Sequence, residues 1–193
     1  MKKFRIGDGD RGITATVRMM QSITFGREGV GSPTVRAAAL EAVRGVGRGM
    51  DEITSIFRWV KENIEFRGEF AETLQTPQVT LQLGAGDCDD HSTLLAAMFE
   101  SLGFETRFNT ISTARDPDDS FSHVFVEVKQ KGTGRWLAVD STVQTSYPGW
   151  KPPNLRRQQV RSSRPAGSAG LGIGTTLLYL GLALVAGKYV MNK

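Results

Sequence analysis

The chain has 193 residues, with 24 Lys+Arg against 20 Asp+Glu, 22 Gly, one Cys and two His. That length suits one ordinary domain with an appendage. A single Cys excludes a disulfide framework, and one Cys with two His cannot build a zinc finger. The net charge of +4 hides a segregation: residues 151–193 hold seven basic residues and no acid, leaving 17 basic and 20 acidic residues in 1–150, a net of −3. The basic character belongs to the tail, so no specific nucleic-acid partner is expected.

In chain order, residues 1–12 read as irregular, and Ile13–Phe25 is an apolar-biased stretch of open type. Together with the turn-rich run that follows, these form an N-terminal segment, 1–33, of undefined structure. Thr34–Val46 predicts a helix, and Asp51–Phe66 a clearer one, with Ile53, Ile56, Phe57, Val60 and Ile64 spaced by three and four. A loop through Gln75-Thr76-Pro77 leads to Gly84-Ala85-Gly86-Asp87. A third helix then runs from Cys88 to Leu102, stopped by Gly103. Thr106–Ser112, Ser122–Lys129 and Arg135–Asp140 predict strands, the second from its alternation of Val124, Val126 and Val128 with Phe125 and Glu127. Helices first and antiparallel strands afterwards predict an α+β domain over 34–146.

Beyond it, 147–168 is rich in Pro, Ser, Gly and Arg and predicts a basic linker. Residues 169–187 carry no charge and as a helix would span about 28 Å, close to a bilayer core, so a single transmembrane helix is expected there, with 188–193 as a short tail. The five basic residues before the span against two after it place the N-terminal body on the cytoplasmic or interior side. Gly170 and Gly174 would let two such helices approach closely and self-associate. The lipid bilayer is thus an expected partner through 169–187.

Three residues fall where chemistry can be built. Cys88 starts a predicted helix, whose free N–H groups and dipole would lower a thiol's pKa and could hold an oxyanion. His123 lies on the middle strand and Asp140 ends the next, so a hairpin can bring carboxylate to imidazole. His91 competes as the base, being three residues beyond Cys88 on one helix face, but no strand-borne carboxylate is evident for it; its other reading is a surface or supporting residue. Cys88, His91 and the neighbouring acids are also a conceivable zinc set, while Asp89 and Asp90 suit the helix N-terminus.

The stretch Gly86-Asp87-Cys88-Asp89-Asp90-His91-Ser92, the block Ser122-His123-Val124-Phe125-Val126 and the block Trp136-Leu137-Ala138-Val139-Asp140-Ser141-Thr142 occur in the order of the transglutaminase-like superfamily of cysteine enzymes. The chain resembles that family over about residues 50–145, and within it the small transglutaminase-like cysteine peptidases encoded by phages and prophages. The resemblance implies a papain-like arrangement: Cys88 as nucleophile, His123 as general base and acid, Asp140 as orienter, with no cofactor and no metal. Asp140 is followed by Ser141-Thr142 where relatives commonly carry Asp-Pro. Gln82 is a candidate oxyanion-hole side chain, with the Cys88 backbone N–H as the safer donor. The implied activity is attack on a peptide or amide bond of a peptide or protein substrate through a thioester, with hydrolysis first and transfer to an amine second. The alternative is a membrane-anchored structural protein of a virion that retains the fold.

Overall fold

The computed structural model describes residues 3–5, 9–68, 73–116 and 120–166. Its helices begin where the sequence supplies a cap. Ser32 accepts from the Val35 N–H at the start of α2 (Pro33–Ala42), with Pro33 in the first turn. Glu52 Oε2 accepts from the Gly49 N–H at the start of α3 (Met50–Asn63), which buries Ile53, Ile56, Phe57 and Val60. A short helix, α4 (Pro77–Leu83), occupies part of the expected loop, capped by Thr76 and led by Pro77. The longest apolar contact surface belongs to α5 (Cys88–Ser101), buried on every side from Asp90 to Ser101. Gly103, at φ +77°, adopts the left-handed conformation that ends it.

The apolar-biased stretch at the N-terminus proves to be α1 (Gly9–Thr24), which buries Val17, Met20 and Ile23 in the core. Through α1 and Val30 the N-terminal segment thus contributes to the same core as α2, α3 and α5. Three strands follow the expected pattern: β5 (Thr106–Thr113), β6 (His123–Lys129) and β7 (Trp136–Val139). Short pairs flank the site upstream: β1 (Lys3–Arg5) runs antiparallel to β3 (Thr73–Gln75), and β2 (Glu65–Phe66) runs parallel to β4 (Ala85–Gly86).

One boundary must be corrected. The expected linker, 147–168, supplies a fourth strand of the main sheet, β8 (Leu155–Ser162), antiparallel to β5 from Arg107↔Ser162 to Thr113↔Leu155. The sheet order is β7-β6-β5-β8, all antiparallel. Just past β8, Ser163 donates to Glu100 Oε1 at 3.2 Å and Arg164 Nη2 reaches Glu100 Oε2 at 2.8 Å, tying the chain's C-terminal side to the end of α5. Glu100 also accepts from the Thr106 N–H at 2.8 Å, so this buried carboxylate has a donor from each element around it.

One face of the sheet packs Phe108, Val124, Val126, Val128 and Val139 against the helices. The other carries a small cluster of Ile111, Phe125 and Ala138 with Leu155 beside it. There the 147–154 segment is pinned by the Gly149 N–H on the Ala138 carbonyl (2.7 Å) and by Lys151 on Glu127 (3.2 Å). Among the described residues no helix is long and apolar enough to cross a membrane. The expected span, 169–187, lies outside the described residues.

Candidate functional site

The site is assembled where the first turn of α5 meets the start of β6 and the end of β7. Asp87 caps the helix: its Oδ1 accepts from the N–H groups of Asp89 (3.0 Å) and Asp90 (3.2 Å). Asp90 returns the contact by accepting from the Asp87 N–H at 3.3 Å, the reciprocal pairing of a capping box. Gly86 is required just upstream, because a Cβ there would fall 2.5 Å from Asp90 Cβ. The cap leaves the Cys88 N–H, first in the helix, with no intrahelical acceptor.

Cys88 is half-buried. Burial of the sulfur pushes its pKa well above the ordinary thiol value, and the charges of Asp89 and Asp87 push the same way; the Val124 backbone amide at the sulfur acts in the opposite direction. These influences run opposite to the depression expected at a helix N-terminus.

His123 opens β6, directly after Ser122, whose N–H holds the Ile111 carbonyl at 3.0 Å. Its Nε2 lies 2.7 Å from Asp140 Oδ2. The carboxylate is itself fixed, its Oδ1 accepting from the Thr142 N–H (3.1 Å) and Oγ1 (2.7 Å). Burial is the largest single influence on Asp140 and raises its pKa, but the bond and charge of His123 and the two bonds from Thr142 together hold it below the usual carboxylate value. The side chain of Asp140 is 1% exposed and that of His123 is 20% exposed, so the pair is open on the imidazole side only. Nε2 is bonded to Asp140, and the Cys88 sulfur sits against the next backbone unit after His123, Val124. Ser92 Oγ donates to the Val124 carbonyl at 3.1 Å and locks that approach.

The structure therefore brings Cys88, His123 and Asp140 to one place. Other expectations change. His91 is not at the surface: it is 1% exposed, and its Nδ1 lies 2.8 Å from Ser141 Oγ. Burial lowers its pKa, against the opposing influence of the Glu65 carbonyl and of Asp140; no group meets hydrogen-bond geometry at its Nε2. Asp90 is buried as well, and its Oδ1 accepts from the Gln75 N–H at 2.7 Å, so it joins β3 to the helix start and does more than complement a dipole. Gln82 is exposed on α4. Gln75, which the sequence reading passed over, is buried with its Oε1 unpartnered. Among the described residues no three His, Cys, Asp or Glu side chains gather as a metal-holding group, so the zinc alternative has no ligand set there.

Lys61 was also missed. From the last turn of α3 its Nζ donates to the carbonyls of Val143 (2.9 Å), Gln144 (2.7 Å) and Ser146 (3.1 Å), the loop that follows Asp140. No spacing in the sequence signals a lysine that serves as an internal cation for three backbone carbonyls.

The model of the transglutaminase-like superfamily core matches residues 36–141, more than half of the chain. Among solved structures, a proposed cysteine protease of Cytophaga hutchinsonii is similar at a TM-score of 0.51 and 18% identity, over 70% of this chain and 44% of that one. A proposed protease of Parabacteroides distasonis is similar at a TM-score of 0.54 and 12% identity, over 77% of this chain and 29% of that one. This chain thus spans less than half the length of either, and at such identities the likeness is one of fold. None of the curated proteins matches the chain in sequence.

Proposed function

Because the chain belongs to the transglutaminase-like superfamily, we propose that it is a cysteine enzyme that opens a peptide or amide bond through a thioester on Cys88, with His123 as base and acid and Asp140 as its orienter. The observation that carries this reading is the 2.7 Å contact of His123 Nε2 with a buried, doubly anchored Asp140, beside the cysteine at the start of α5. A carboxylate in that position fixes the imidazole tautomer with the proton on Nε2 and keeps Nδ1 free to accept another.

Burial and the neighbouring carboxylates disfavour a free thiolate. In the proposed sequence the Cys88 proton passes to His123 Nδ1 as Sγ bonds to the substrate carbonyl carbon. The tetrahedral oxyanion forms next to the start of α5, where the Cys88 N–H and the helix dipole supply stabilisation. His123 then gives its proton to the leaving amine, the C–N bond breaks, and the thioester remains. Water, deprotonated by the same imidazole, attacks the thioester and regenerates the thiol. Hydrolysis is the first choice of outcome; an amine in place of water would give transfer.

The test is a panel of fluorogenic peptides with and without a primary amine. Release of the leaving group that requires Cys88 and His123, with a trapped acyl-enzyme in mass spectra, is the expected result. Turnover that persists in Cys88→Ala would overturn the assignment. Attachment to a bilayer through 169–187 is part of the same proposal, supported by an uncharged run of bilayer length. Retention of the full-length chain by membranes after alkaline wash is expected, whereas release by salt alone would leave only the basic residues as the contact.

A further inference from the structure

Two adjacent residues of α5 reach the two strands that carry the other members of the site. Ser92 Oγ donates to the Val124 carbonyl, next to His123 (3.1 Å), and His91 Nδ1 lies 2.8 Å from Ser141 Oγ, next to Asp140. Both contacts are buried; His91 and Ser92 are 1% and 2% exposed. Cys88 is one helical turn before His91 on the same helix. The relative position of nucleophile, base and orienter is therefore set across a helix–sheet boundary by residues three and four beyond the nucleophile.

We infer that His91 is a positioning residue for the proposed reaction: through Ser141 it holds the Asp140 end of β7 in register with the helix that presents Cys88. This rests on the reading of Cys88 and His123 as nucleophile and base. The choice of histidine, when a smaller polar residue would also cap a helix face, follows from the span. The ring carries a hydrogen-bonding atom to Ser141 while its body makes an edge contact with Phe66, whose ring centroid is 6.2 Å away. A hydroxyl partner asks only for a neutral ring, so His91 can hold Ser141 without competing with His123 for the proton of the thiol. Asp140 and Ser141 are consecutive, so a shift of Ser141 is transmitted to the carboxylate through one peptide unit. A misplacement of the order of 1 Å at a reacting group is enough to slow an enzyme severely.

The test uses the chain's single cysteine. The rate of Cys88 alkylation by iodoacetamide is measured in the full-length protein from about pH 5 to about pH 10, together with the melting temperature. Ser141→Ala is expected to slow alkylation at neutral pH by about 5- to 10-fold, the worth of one neutral hydrogen bond, and to displace the profile. His91→Asn, whose amide can stand where Nδ1 stood, is expected to keep most of the rate. His91→Phe is expected to behave like Ser141→Ala, and the double variant to be no slower than either single one. Folded Ser141→Ala and His91→Phe proteins with wild-type rates and profiles would overturn the inference, as would variants that only melt earlier. If instead His123→Ala leaves alkylation unchanged, the nucleophile–base reading itself fails, and the two failures are told apart by that one variant.

Discussion

The two histidines of this chain, one on α5 and one on β6, are held by consecutive residues, Asp140 and Ser141, yet their surroundings differ. His123 has a carboxylate at 2.7 Å and keeps 20% of its side chain exposed; His91 has a hydroxyl at 2.8 Å and is buried. A carboxylate stabilises an imidazolium and a dry pocket opposes one. Burial lowers the pKa of His91, whose partner is a hydroxyl, whereas the partner of His123 is a carboxylate. Distance along the chain from Cys88 does not set a histidine's surroundings: His91 is three residues away, yet it is buried against a hydroxyl.

The sharpest way to break this comparison is to remove each member. Cys88→Ala and His123→Ala are expected to lower peptide turnover by about 10³-fold or more with the melting temperature nearly unchanged. Comparable turnover in His123→Ala and His91→Ala would show that the two rings share the role. Asp140→Asn is expected next, with a loss of about 10²- to 10⁴-fold in kcat and little change in KM, because an amide can stabilise the wrong tautomer of His123. A near-normal kcat would remove the carboxylate from the mechanism.

Stability against pH separates the two rings in another way. His91 has its pKa lowered in the folded state by burial, so its contribution to stability is full above the ordinary imidazole value of 6.5 and is lost as the pH falls toward and through the folded value. Denaturant titrations at falling pH are expected to show wild type losing stability faster than His91→Asn below about pH 6.5. Parallel curves would mean that His91 is as easily charged in the fold as outside it. The smallest effect is expected for Lys61→Met, which leaves three loop carbonyls without their common donor. A loss of about 1 kcal/mol in unfolding free energy, with a several-fold fall in turnover, is the outcome to look for.

Much of the site was legible because its elements carry strong local signals. Cys88 follows a capping aspartate and a glycine, and α5 continues as an apolar run; His123 and Asp140 lie on strands with clear alternation. The helices α2, α3 and α5 follow from caps and three-and-four spacing. What stayed hidden depends on partners that are distant in sequence. Asp90, His91 and Ser92 look like a solvated helix start, yet each is buried against a group from another element: Gln75, Ser141 and Val124. The run Leu155–Ser162 looks like a basic linker because an edge strand that is exposed along most of its length has no need of an apolar alternation. Only its pairing with β5 makes it a strand. A domain end placed at 146 from composition would discard that strand whole, together with Ser163 and Arg164, which join Thr106 as partners of Glu100.

The position of β8 also bears on when the protein can become competent during its own synthesis. Cys88, His123 and Asp140 have all been made before Leu155 is added, but β5, which pairs with the His123 strand on one side, still lacks its neighbour on the other. A nascent chain that stops at Asn154 exposes an unpaired edge from Arg107 to Thr113 and leaves Glu100 without Ser163 and Arg164, the kind of surface that invites wrong partners. Completing the strand covers the edge of β5 and anchors α5 at the end opposite Cys88 in one step. Released chains ending at Asn154 and at Ala166 are expected to differ accordingly: only the longer one should resist proteolysis and show the alkylation profile of the full-length protein.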